Sequence, residues 1–194
     1  MSTSGPVVLT TCALGLLLLA GCAKPYDYTN FRQHRPRSIL VAPPQNESQT
    51  VNAAWSYQST VTRPLAERGY YVFPVDVVDR LMKENAVSPS KAAELLGADA
   101  VLYVTLEEYA TKQQVLNAAT LVKLRGQLVD ARSGVLLWER RFAIQHNSNL
   151  GSGGIPDSAE AAHDLAGPAN VRFFGDRDLG LLYGPYHPRY GKDE

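Results

Sequence analysis

Thiols are scarce in this chain. Of its 194 residues only Cys12 and Cys22 carry one, both near the start. With no cysteine after position 22, a disulfide framework and a cysteine-based zinc site are excluded from the body of the chain. Net charge is missing as well: 19 basic residues balance 19 acidic ones. A neutral chain lacks the basic surface a nucleic-acid binder needs to displace counterions. Neutrality also argues against a polybasic membrane patch, which leaves any membrane affinity to acyl chains. Histidine is sparse, and His34, His146, His163 and His187 lie far apart with no H-E-x-x-H among them. Neither a metal nor a cofactor is expected.

The first 22 residues hold no charged side chain at all, so only the α-amino group is positive there. What they do hold is an apolar run, residues 7–19, closed by Leu19-Ala20-Gly21-Cys22. An apolar core followed by small residues is a secretory signal. Cys in the first position after the cut turns it into the bacterial lipobox, because only a thiol can take a thioether-linked diacylglycerol. A transmembrane anchor is the competing reading, and the run falls short of the ~20 apolar residues a bilayer requires. Residues 1–21 are therefore expected to be a signal peptide, with Leu19, Ala20 and Gly21 at the cleavage site and Cys22 as the lipid attachment. Two or three acyl chains on Cys22 suffice for stable anchoring. Ala23 follows, where Asp would signal inner-membrane retention, and so points to the outer membrane. Residues 22–37 read as a lipidated tether, whose stretch 24–37 could reach about 45 Å at ~3.3 Å per residue. Tyr26, Tyr28 and Phe31 speak for a docked arm instead.

Residues 38–194 read as one domain. Ser38-Ile39-Leu40-Val41-Ala42 fits a buried strand stopped by Pro43-Pro44, and residues 45–48 a loop tied by Asn46. A helix is expected over 52–68, with Trp55, Val61 and Leu65 on its apolar side, interrupted at Pro64 and ended by Gly69. A strand over 70–75 leads to a helix over 77–84 capped by Asp76. Ser88-Pro89 opens another helix, ending at Gly97. Residues 99–107 are apolar on both faces, as a central strand is. A long hairpin follows: Leu116, Ala118, Thr120, Val122, Leu124, Gly126 and Leu128 alternate with Asn117, Lys123, Arg125 and Gln127. Asp130 to Gly134 turns it, and Leu136, Trp138, Phe142 and Ile144 return on the core side. Residues 147–154 read as a loop, and 156–166 as a short helix.

Catalytic signatures are wanting. Gly151-Ser152-Gly153-Gly154 is neither G-x-S-x-G nor a phosphate loop. Glu107 and Glu108 are neighbours on a strand and point to opposite faces. His163-Asp164 lacks a nucleophile in context. The aromatic, proline-rich end is different. Tyr183, Tyr186, Arg189 and Tyr190 form either a strap across the core or a partner surface, since Tyr and Arg dominate interface hot spots.

Several stretches resemble the surface lipoproteins of unknown function found in Gram-negative bacteria. They are Pro43-Pro44-Gln45-Asn46-Glu47-Ser48, the run from Val61 to Val75, Gly97-Ala98-Asp99-Ala100, and Leu182-Tyr183-Gly184-Pro185. The hairpin D-x-x-S-G-x-x-x-W, Asp130 to Trp138, is similar to hairpins of the curli-secretion lipoprotein. The resemblance implies a fold like the amino-terminal domain of TolB and the lipoprotein activator of a peptidoglycan synthase, and it brings no catalytic residues. Where the family carries a longer apolar stretch, this chain has only residues 147–166.

The expected fold is α/β: a mixed, mostly antiparallel sheet of about five strands flanked by helices. Two functions stay open. One is a non-enzymatic, outer-membrane-anchored periplasmic lipoprotein that binds envelope proteins, such as a curli-secretion-like lipoprotein, as an accessory to export or envelope assembly. The other is a regulator of a peptidoglycan synthase, which would need a longer tether. A hydrolase is a distant third.

Overall fold

The computed structural model describes residues 25–113, 117–149 and 158–192. Cys12, the lipobox with Cys22, Ala23, Leu116 and the 151–154 loop lie outside them. The first elements are α1 (Thr29–His34), β1 (Ser38–Val41), β2 (Gln45–Asn46), α2 (Ala53–Glu67) and β3 (Tyr71–Val72). Then come α3 (Val75–Asn85), α4 (Pro89–Leu96), β4 (Ala100–Gln113), β5 (Asn117–Asp130), β6 (Leu136–Asn149) and α5 (Ser158–Gly175). The sheet runs β3-β1-β4-β5-β6, with β2 pairing onto β4. Pairs among β1, β2, β3 and β4 are parallel, whereas β4-β5-β6 is a long antiparallel meander.

Chain handedness explains where the helices go. β1 steps to β3 in one direction, and β3 steps back across β1 to β4 in the other. Parallel crossovers are right-handed, so the two connections must fall on opposite faces. Accordingly α2 packs on one face with Tyr57, Val61 and Leu65 against Ile39, Val41 and Leu102. The α3–α4 pair covers the other through Val78, Ala92 and Ala93 against Leu40, Ala42 and Val101. Asp99 stitches β1 to β4: its Oδ2 accepts from the N–H groups of Arg37 (2.9 Å) and Ser38 (3.1 Å).

Two bulges reset which residues face the core. Opposite β5, Leu106 pairs with Leu124 and Glu108 with Lys123, so Glu107 is the extra residue and Tyr109 turns inward. In β6, Val129 pairs with Leu136 and Leu128 with Trp138, leaving Leu137 as the extra one. Leu136, expected on the core side, is thereby sent to the other face and is exposed, while Leu137 and Trp138 are buried.

Other boundaries differ from expectation for local reasons. Residues 45–46 are a short strand, not loop. α2 runs through Pro64, whose buried ring is held by packing while the Arg68 N–H still reaches the Pro64 carbonyl at 3.1 Å. β3 stops early because Pro74 caps α3, placing Asp76 in the first turn, paired with Arg80, and not at the cap. α4 is as expected: Ser88 Oγ accepts from the Lys91 N–H, and Gly97 closes the helix at φ 70°. β6 continues through residues 147–149, and α5 runs on past Ala166 to Gly175. Its buried residues Ala162, Ala166, Ala169 and Phe173 recur at helical spacing, so packing on the sheet carries it across Pro168.

The expected free tether is a docked arm from residue 25 onward. Phe31 is buried, Tyr26 and Tyr28 pack against the same core, and the Glu139 N–H donates to Tyr26 Oη at 2.8 Å.

Candidate functional site

The first buried stripe of α2 is Ala53, Tyr57, Val61 and Leu65. Trp55, two residues off that stripe, points the opposite way and is 80% exposed, which corrects its expected core placement. It stands on the rim of a groove of about 970 Å³ between α2, β3, α3 and the start of α5. Phe73 and Pro74 line it from the β3–α3 connection, and Asp76, Asp79 and Glu160 line it with carboxylates. Gln58 Nε2 donates to Asp79 Oδ1 at 3.2 Å. Among the described residues no Lys or Arg lines the groove.

At its deep end, Ser56 Oγ lies 3.1 Å from His163 Nδ1 and 3.0 Å from Tyr109 Oη. His163 Nδ1 is also 3.2 Å from the Ser56 carbonyl. The contacts tie α2, β4 and α5 together as a brace. Below it, Tyr57 Oη donates to Asn170 Oδ1 at 2.6 Å, and Asn170 Nδ2 to Thr60 Oγ1 at 3.0 Å. Burial drives the Tyr57 phenol far up, only partly offset by that bond to Asn170.

The remaining sequence candidates are dispersed. Glu107 pairs with Arg141 and Glu108 with Lys112, so they do not form a shared acid pair. His34 sits near the β5–β6 turn, His146 is exposed on β6, and His187 stacks on Tyr183 at 4.1 Å. Among the described residues no three His, Cys, Asp or Glu side chains cluster as metal ligands.

The aromatic C-terminal stretch crosses the end of the molecule next to the arm. Gly184 N–H donates to the Arg68 carbonyl (2.8 Å) and Tyr186 N–H to the Gly69 carbonyl (3.1 Å). Gly69, at φ 86°, and Gly184 pass so closely that a Cβ on Gly184 would lie 2.2 Å from the Gly69 carbonyl oxygen. The Arg68 guanidinium donates to the Leu181 carbonyl and lies 4.2 Å from the Tyr183 ring centre. Arg189 covers the same ring at 4.9 Å and donates to its hydroxyl at 3.0 Å. Tyr186 and Tyr190 remain exposed. Tyr28 Oη donates to the Gly180 carbonyl at 2.5 Å, joining arm to strap, and burial pushes its phenol up to about 12. Sequence reasoning missed Arg140, which lies on the core side of β6. Its guanidinium donates to the Arg172 and Phe173 carbonyls at the end of α5 and to Asp176 Oδ2 at 2.9 Å.

The architecture defines a small mixed α/β domain whose two ends fasten to each other, carrying one broad acidic groove. No helix among the described residues is long and apolar enough to cross a membrane. The chain belongs to the family described as "Putative lipoprotein GNA1162-like", matched over residues 26–186. It is 40% identical over 163 residues to the "Putative lipoprotein NMB1124/NMB1162" of Neisseria meningitidis serogroup B, covering 77% of this chain and 75% of that one. The crystal structure of lipoprotein GNA1162 from Neisseria meningitidis is similar with a TM-score of 0.55 at 37% identity, over 69% of this chain and 94% of that chain. A PelC dodecamer from Paraburkholderia phytofirmans shares the fold with a TM-score of 0.50 at 19% identity, over 71% and 86% of the two chains. The family is the one the sequence motifs resemble.

Proposed function

We propose that this lipoprotein is held at the outer membrane by a lipidated Cys22, on the periplasmic side, and works by binding a protein of an envelope or export assembly without catalysing a reaction. The observation that carries the binding role is Trp55, an indole 80% exposed beside an acidic groove. Exposed aromatics of this kind anchor interfaces, and Trp is the best face for a partner's cation. Asp76, Asp79 and Glu160 call for an extended basic segment as the occupant. Docking of the arm counts against the synthase-regulator alternative. The chain from Cys22 to Tyr26 spans only about 13 Å when extended, a short reach for crossing the cell wall.

A photo-crosslinking residue in place of Trp55 tests this in cells, with Val171, an exposed apolar residue on α5 outside the groove lining, as control. The expected adduct forms at position 55 only, maps to a Lys/Arg-rich peptide of an envelope protein, and disappears with Asp76→Lys and Asp79→Lys. An adduct on an acidic or apolar segment, or one unaffected by those two changes, sinks the reading.

A further inference from the structure

Overall neutrality conceals an uneven distribution of charge. Residues 26–37 and 176–192 hold six cations, Arg32, Arg35, Arg37, Arg177, Arg189 and Lys192, against three carboxylates, Asp27, Asp176 and Asp178, with Lys24 before them and Asp193 and Glu194 after them in the sequence. The rest of the chain is acidic by the same margin. These two segments meet at one end of the molecule. Arg32 and Arg35 line a crevice with Tyr183, Tyr190 and Gly191, and the Arg35 guanidinium lies 5.9 Å from the Tyr190 ring centre. His34 Nε2, 3.5 Å from Ser133 Oγ, brings the turn carrying Arg132 to the same end.

The carboxylates of this end are turned to internal use. Asp27 Oδ1 accepts from the N–H and hydroxyl of Thr29 at 2.9 and 2.6 Å. Asp130 Oδ1 accepts from the N–H and hydroxyl of Ser133, both at 2.7 Å. Asp176 holds Arg140 and the N–H groups of Asp178 and Leu179. Among the described residues of the two segments Asp178 is the exposed remainder. Elsewhere Arg63, Arg80, Lys91, Lys112, Lys123 and Arg141 each pair with a carboxylate, whereas among the described residues Lys83, Arg125 and Arg172 do not. Among the described residues Arg32, Arg35, Arg132, Arg189 and Lys192 form no such pair.

We infer that this arm-and-strap end is a membrane-facing surface, with the phosphates of anionic lipid headgroups as its occupant. The inference rests on the reading of Cys22 as the anchor. Two observations fix the occupant. The first is chain length: Tyr26 is pinned at Glu139, so its end of the molecule is held within about 13 Å of the lipidated residue. That distance is on the order of the ~8–10 Å over which a charged surface is felt at physiological salt. The second is chemistry. Unpaired guanidinium groups suit phosphate oxygens, and exposed Tyr186 and Tyr190 are the amphipathic rings that settle at headgroup depth. The patch needs little affinity of its own, because the lipid supplies a high effective concentration. The groove and Trp55 are then left to face the periplasm.

The test uses residues 22–194 with Cys22→Ser, which contain every described element but no lipid. Sedimentation with phosphatidylcholine vesicles, with and without phosphatidylglycerol, measures binding directly. We expect about tenfold stronger binding to the phosphatidylglycerol vesicles, lost in high salt. Arg32→Glu with Arg35→Glu and Arg189→Glu should abolish that selectivity, and so should the exposed pair Arg132→Glu and Lys192→Glu. Arg80→Glu, Lys83→Glu and Lys91→Glu on α3 and α4 change net charge as much as the first set and should leave it intact. Equal binding to both vesicles, or equal loss in the α3–α4 set, overturns the surface. Palmitate labelling of the full chain reports on Cys22 separately. Label without vesicle selectivity overturns the surface alone; selectivity without label upholds the surface and overturns the anchor.

Discussion

The chain's two tryptophans occupy opposite situations. Trp138 is fully buried, edge-on to Phe173 at 5.3 Å, with its Nε1–H donating to the Leu179 carbonyl at 2.8 Å. Trp55 is 80% exposed and lines the acidic groove. Neither outcome follows from residue type. Trp138 keeps the two-residue phase of Phe142 and Ile144 while the extra residue Leu137 displaces Leu136, and an offset of two positions from the 53–57–61–65 stripe turns Trp55 out of the core. A large aromatic spends its surface once, on stability in one place and on recognition in the other.

The largest expected effect is on the buried side. Trp138→Ala should cost about 3–5 kcal/mol, as removal of a buried aromatic does, read by thermal or urea unfolding. An unchanged melting temperature would break the comparison at its base. Next is Gly126→Ala, in the strand beneath: a Cβ there would lie 2.7 Å from Phe173 Cζ and 3.1 Å from Trp138 Cζ3. Overpacking of this kind costs about 1–3 kcal/mol, and a neutral result would mean the floor under Trp138 is looser than drawn.

High pH gives a subtler handle. Tyr28 holds Gly180, next to the Leu179 carbonyl that Trp138 binds, and its phenol is raised by burial from 10.0 to about 12. A raised folded-state value means the contribution is intact below pH 10 and is lost as pH rises through about 12. In a Trp55→Phe background, Trp138 emission should therefore shift to the red across that window, and in Tyr28→Phe the shift should lose that dependence. The smallest effect belongs to the exposed indole. Trp55→Ala should change stability by no more than about 0.5 kcal/mol, while removing the emission component most accessible to acrylamide.

Regular pattern was legible where one face is packed and the other wet. The alternation of β5 and the Ser88-Pro89 opening with Gly97 closure of α4 are both as the residues predict. The bulges at Glu107 and Leu137 were not legible, because an inserted residue preserves composition while reversing phase. Leu136 and Tyr109 are placed by their registers against β5, which the alternation within a single strand does not reveal. The extension of α5 was there to be found in Ala162, Ala166, Ala169 and Phe173, but Gly167 and Pro168 mask it locally. The groove could not be read, since it is assembled from α2, β3, α3 and α5. The arm and strap have no period at all, and what orders them is carbonyl groups, Arg68 and each other.

That last arrangement bears on how the fold is completed. Tyr28 and Gly180 meet across 152 positions, so a residue of the arm waits for one of the strap. Synthesis delivers the two residues in that order, and the contact cannot form until the chain has been made past Gly180. Closing so long a loop is not much costlier than closing a shorter one, since each doubling adds only about 0.6 kcal/mol, but it does place the step late. Once made, it couples the termini as a single opening unit. Fraying at either end should then appear in hydrogen exchange at both, as matched protection of the Arg32 and Leu181 amides, which donate to the Tyr28 and Phe174 carbonyls.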